Sequence, residues 1–125
     1  MIEHISLPVH DYKKAKKFYV AALKPLKYKL HMEFPGAAGF VEGGHTSFWI
    51  VKHGRGAKLH IAFLAKSKKM VQAFHTAALK AGAKDNGKPD FRLDYGPDYY
   101  AAYVLDPEGN NIEAAYFGAR APKPR

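Results

Sequence analysis

The sequence contains no cysteine. Disulfides and thiolate metal sites are therefore excluded, and a reducing compartment fits without being required. Acidic residues are also scarce, with 11 Asp and Glu against 20 Lys and Arg, a formal charge of +9. No apolar run approaches the ~20 residues that cross a bilayer. The start Met1-Ile2-Glu3-His4 lacks the basic end and apolar core of a signal peptide. These absences lead to the expectation of a soluble, cytoplasmic protein without a membrane partner. Arginine is sparse, and the basic residues are not interleaved with aromatics as in grooves that grip single strands. Lysines cluster instead at Lys13, Lys14, Lys16 and Lys17 and at Lys66, Lys68 and Lys69. They read as solvated helix faces, not as a nucleic-acid surface, and such a face can draw in anionic small substrates.

What is present is enough apolar surface for one core: 47% of the 125 residues are apolar and 14% aromatic. Alternation predicts strands over 2–9, 26–34, 37–42 and 46–52, with Pro35-Gly36 and Gly43-Gly44 as turns. Asp11 is an N-cap, and Ala15, Phe18, Tyr19, Ala22 and Leu23 recur at helical spacing until Pro25. This is a βαβββ unit.

The pattern restarts after Gly54-Arg55-Gly56. Strands are predicted over 58–65, 99–105 and 111–117, with a weak strand and a loop between Lys84 and Pro97. Ser67 repeats the cap, and Val71, Phe74, His75, Ala78 and Leu79 repeat the helix face. His4 and His60 stand 56 positions apart, as do both caps and both helix faces. The fold class expected is α+β, with two tandem βαβββ modules forming a curled mixed sheet around a central cradle. A single domain spans 1–118, with module 1 over about 1–53 and module 2 over about 57–118; residues 119–125 are a flexible basic tail.

Successive strand side chains point to opposite faces. Ile5, Leu7 and Val9 then face the first helix, while His4 and Ser6 face the other way. Likewise His60 and Ala62 face away from the second helix, and Glu113 opposes Ile112 and Ala114. If the modules pack side by side, two imidazoles and a carboxylate line one cradle. Two histidines and a carboxylate suit a divalent metal with open coordination positions. The plainer alternative is a pair of half-buried strand histidines and a glutamate paired with a lysine. Trp49 matches Glu113 by strand pattern, either as a cradle wall that stacks on a planar substrate or as a large core residue. Ser6 and Tyr100 are further candidate substrate contacts.

Three segments carry a family resemblance. They are Ile2-Glu-His-Ile-Ser-Leu with the helix that follows it to Tyr28, then Leu59-His-Ile-Ala-Phe with Phe74-His-Thr-Ala-Ala-Leu-Lys-Ala-Gly82, and Tyr103-Val-Leu-Asp-Pro-Glu-Gly-Asn-Asn-Ile-Glu113. The chain resembles the vicinal oxygen chelate superfamily of glyoxalase I, bleomycin-resistance proteins and extradiol dioxygenases. The resemblance implies a divalent metal (iron, zinc, nickel or manganese) on His4, His60 and Glu113. Glyoxalase I typically adds a glutamate on the fourth strand, where this chain has Trp49. The implied three-ligand site is similar to that of the ferrous extradiol enzymes. Tyr103, ten residues before Glu113, then matches their substrate-contacting tyrosine, and His45, fifteen before His60, their acid/base histidine. The resemblance also implies a homodimer acting on a small oxygen-bearing molecule as a lyase, isomerase or dioxygenase. The alternative within the family is a metal-free, drug-sequestering protein.

Overall fold

The computed structural model describes residues 2–54 and 58–118. The predicted linker at Arg55 and Gly56 and the predicted tail over 119–125 lie outside the described residues. Module 1 contains β1 (Ile5–Val9), α1 (Tyr12–Ala22), a 3-10 turn (Lys24–Leu26), β2 (Lys29–Phe34), β3 (Ala37–Glu42) and β4 (His45–Lys52). Module 2 contains β5 (His60–Leu64), α2 (Lys68–Lys80), β6 (Lys84–Phe91), β7 (Tyr100–Leu105) and β8 (Asn111–Tyr116).

Both helices begin where the side-chain chemistry says they should. The Asp11 carboxylate accepts from Lys14 N at 3.2 Å, and the Ser67 hydroxyl accepts from Met70 N at 3.1 Å. Each satisfies one of the unpaired amides of a helix start. Two details differ from the alternation pattern. His45 opens β4 instead of closing the turn before it, and Lys84–Phe91 forms a full strand. That strand tolerates Pro89 because β6 is an edge, where a missing amide breaks no ladder.

The fold is α+β, with two four-stranded mixed sheets ordered β1-β4-β3-β2 and β5-β8-β7-β6. In each, the first pair is parallel and the others antiparallel. The registers make the repeat explicit: Ser6 lies opposite Trp49, and Ala62 lies opposite Glu113. Trp49 and Glu113 therefore hold the same place in their modules.

The helix-covered faces share one core. Phe63 of β5 packs edge-on against Phe48 of β4 at 5.2 Å and against Tyr28 at 5.3 Å. A polar clamp adds to this. Asp106, in the turn before β8, accepts from the Tyr19 hydroxyl at 2.5 Å, from Asn110 N at 2.8 Å and from Glu108 N at 2.9 Å. The Glu108 carboxylate takes the amides of His10 and Asp11 at 2.7 Å, at the positive end of α1. Because the covered faces meet at the centre, the uncovered faces point away from it. The modules therefore pack against each other through their helix sides.

Candidate metal half-sites

The uncovered face of module 2 gathers His60, Glu113, Tyr99 and Tyr103. Glu113 is only 2% exposed. Its Oε1 lies 2.9 Å from His60 Nε2, and its Oε2 accepts from the Tyr99 hydroxyl at 2.5 Å. Tyr103 lies directly opposite Glu113 in the β7–β8 ladder. Burial first, and the Glu113 carboxylate second, push the Tyr103 hydroxyl up to about 12. Burial likewise raises the Tyr99 hydroxyl well above the ordinary tyrosine range, with its hydrogen bond to Glu113 adding to the shift. The Arg92 guanidinium sits 5.1 Å from the Tyr103 ring centroid, and Gly87 lets β6 approach that ring: a Cβ there would lie 2.8 Å from Tyr103 Cδ1.

The uncovered face of module 1 carries His4, Ser6 and Trp49. His4 Nδ1 donates to Glu3 Oε1 at 2.5 Å. His45 Nε2 donates to the Glu3 backbone oxygen at 2.7 Å and lies 3.2 Å from Glu3 Oε2. Glu3 thus joins both histidines, and its hydrogen bond with His4 lowers its carboxyl below the usual value. Trp49 stacks with Phe34 at 6.2 Å and 14°.

Of the residues singled out from the sequence, the structure brings together His60, Glu113 and Tyr103. His4, Ser6 and Trp49 belong to the other face, and His45 reaches His4 only through Glu3. Among the described residues, no three His, Asp or Glu side chains converge on a point that holds a metal. Tyr100 lies apart from this group: it is 7% exposed, its hydroxyl accepts from Gln72 Nε2 at 2.9 Å, and it lines a surface pocket beside α2. Alternation explains this, since Tyr100 is one residue out of phase with Tyr99 and Tyr103. The same alternation was the signal that would have found Tyr99.

The donor set fits a divalent cation in part. Glu113 is a buried carboxylate whose ion-pair partner among the described residues is His60, not a lysine or arginine. Such a carboxylate is costly to bury without a positive charge beside it. An imidazole nitrogen and a carboxylate oxygen 2.9 Å apart make two adjacent donors for that charge.

Comparison with known proteins agrees with this architecture. The family model of the Glyoxalase/Bleomycin resistance protein/Dioxygenase superfamily matches residues 1–114. The chain belongs to that superfamily. A glyoxalase/bleomycin resistance protein from Albidiferax ferrireducens T118 is 30% identical with a TM-score of 0.80, covering 91% of this chain and 97% of that one. A lactoylglutathione lyase from Agrobacterium tumefaciens has the same fold at 20% identity and a TM-score of 0.71, covering 93% of this chain and 92% of that one. A glyoxalase-related enzyme from Fulvimarina pelagi does so at 16% identity and 0.73, covering 93% and 87%. No protein with a curated description matches the chain. Among the described residues, no helix is long and apolar enough to cross a membrane.

Proposed function

We propose that this protein is a divalent-metal-dependent enzyme on small molecules bearing vicinal oxygens. Its site is built from His60 and Glu113 of one copy and His4 of a second. Glu113 carries the reading: a carboxylate at 2% exposure, with His60 at its side, marks a place made for a cation. Two-fold pairing is supported by the strands that begin at or just after the histidines. β1 and β5 each leave one edge outside their sheets, and each carries an exposed apolar side chain, Ile5 at 36% and Leu64 at 57%. An unpaired, partly apolar edge favours strand-to-strand association, here with module 1 of one copy beside module 2 of the other.

When bound, the metal supplies Lewis-acid polarisation of the substrate oxygens. The chain supplies the rest. Tyr99 fixes the Glu113 rotamer from Oε2 and leaves Oε1 toward His60. With its hydroxyl near 12, Tyr103 keeps its proton at neutral pH and serves as a donor to a developing oxyanion, not as a base. Trp49 stands where a fourth carboxylate ligand would be, so the set has three protein ligands. Iron, zinc, nickel and manganese all suit such nitrogen and oxygen donors.

The Trp49–Phe34 stack favours a second reading, a binding protein that sequesters a small molecule without metal. Metal analysis separates the two. Purified protein should carry stoichiometric divalent metal, and Glu113→Gln should lose it. Metal-free wild type that cannot be reloaded, or a Glu113→Gln variant that binds metal as tightly, would overturn the enzymatic reading in favour of sequestration.

A further inference from the structure

We propose that the cleft between α2 and β6 is a second binding site, one that takes a small organic carboxylate. It stands independently of the metal site, on the other side of the module 2 sheet: Tyr100 lines the cleft, while Tyr99 and Tyr103 share the face of Glu113. The cleft measures about 410 Å³ and is lined by Gln72, His75, Thr76, Lys88, Pro89 and Tyr100. Two of these side chains are buried and keep a polar atom in reserve. Tyr100 is 7% exposed, and its hydroxyl accepts from Gln72 Nε2 at 2.9 Å, which leaves its own proton without an acceptor among the described residues. The His75 side chain is 9% exposed. Its Nε2 donates to Asp85 Oδ1 at 2.9 Å, and its Nδ1 makes no hydrogen bond among the described residues.

The repeat shows what this place holds when the chain fills it. In module 1 the Glu33 carboxylate bridges β2 to α1, where it pairs with the Lys16 ammonium and accepts from the Tyr12 hydroxyl at 3.3 Å. Both edge strands carry a bulge at the same place, at His31 in β2 and at Asn86 in β6. Beyond it, Glu33 lies opposite Ala38, which in turn pairs with Ile50, the residue after Trp49. Ala102, paired with Ala114 just after Glu113, holds the place of Ala38 in module 2. There β6 shifts register a second time, from Gly87 opposite Tyr103 to Asp90 opposite Ala101. Lys88 and Pro89 therefore stand where Glu33 would be. On the helix, Lys68 and Gln72 hold the places of Tyr12 and Lys16 at the 56-residue spacing of the caps. The carboxylate that module 1 supplies from its own chain has a lysine in its place in module 2.

The charges around the cleft favour the same occupant. Lys68 Nζ lies 5.2 Å from the Phe91 ring centroid and 5.8 Å from that of Tyr100, with no carboxylate partner among the described residues. The nearby acids are already engaged. Asp85 takes His75, the Gly87 amide at 3.0 Å and Lys88 Nζ at 3.2 Å, and Asp90 accepts from the Phe91 amide at 2.8 Å. An entering carboxylate meets the compact charges of Lys68 and Lys88 and the free proton of Tyr100. Pro89 and the Tyr100 ring give its apolar part a wall.

The test titrates the full chain with benzoate and with benzamide, which have nearly the same shape and differ in charge, and follows backbone amide signals by NMR. Benzoate should shift the signals of Gln72, Thr76, Lys88 and Tyr100 and bind about tenfold more tightly than benzamide. Lys68→Ala and Lys88→Ala, both exposed positions, should each weaken benzoate by roughly three- to fivefold and leave benzamide unchanged. Glu113→Gln should bind benzoate as wild type does. Equal affinities for the two compounds, or lysine variants that bind benzoate as wild type does, would overturn the site. Tighter binding of inorganic phosphate at the same signals would overturn the carboxylate assignment. Shifts confined to His60 and Tyr103 that vanish in Glu113→Gln would place the acid on the metal face, and the cleft would then fail while the metal site stood.

Discussion

Trp49 and Glu113 occupy the same position in two copies of one structural unit. Each lies opposite the residue two beyond its module's strand histidine: Ser6 after His4, Ala62 after His60. The same backbone place holds a buried glutamate in one module and a flat indole in the other. The modules share one architecture and differ in the side chain at this place.

The clearest consequence concerns subunit sharing. His4→Ala and His60→Ala proteins should each lose tight metal binding. Refolded together, they should regain it, because a mixed dimer keeps roughly half of its shared sites intact. Metal content of the mixture, measured after size-exclusion chromatography, checks this. No recovery in a mixture proven to contain heterodimers would place all ligands within one copy.

Tyr103→Phe should lower kcat by roughly 10²–10⁴-fold, the range of a lost proton donor, and leave metal content unchanged. Tyr99→Phe should act differently, weakening metal affinity through a less constrained Glu113, by roughly 10–100-fold as for other groups that orient ligands. Metal titration alongside steady-state kinetics distinguishes the two tyrosines. Equal effects of both on metal affinity would remove the separate role of Tyr103.

Alkaline pH should loosen module 2. Tyr103 is held at about 12 by burial and by Glu113, against about 10 for a tyrosine in an unfolded chain. The stability linked to its retained proton is complete below pH ~10 and is lost as pH rises through about 12. Urea midpoints followed from pH 9 upward should fall in wild type and fall less in Tyr103→Phe. Parallel curves would assign the decline to other groups.

Tyr19→Phe tests the clamp between the modules. It removes one donor from Asp106, which is 5% exposed, and should cost about 1–3 kcal/mol of stability. Metal content of the folded protein should stay the same. Urea unfolding and metal analysis of the same preparation provide both readings.

Much of this molecule was legible in the chain. Two caps, two helix faces and the alternation around His4, His60 and Glu113 are local patterns, and local geometry enforces them. The bulge at His31 was not legible, because nothing in Lys-Leu-His-Met-Glu-Phe marks where the ladder skips a residue. Without that bulge Phe34 reads as a helix-side residue, and its stack on Trp49 goes unseen. Tyr99 was within reach, since it shares the phase of Tyr103.

The sequence by itself determined the repeat, the α+β class and which strand faces carry the histidines and the carboxylate. Those properties depend on residues a few positions apart. Only the tertiary structure decided that the two helix sides meet, through Phe48, Phe63 and Tyr28 and through Asp106 and Glu108 against α1. Which apolar faces bury each other is a contest between surfaces far apart in the chain, and no spacing rule settles it. That packing leaves His4 and His60 on faces that neither helix covers.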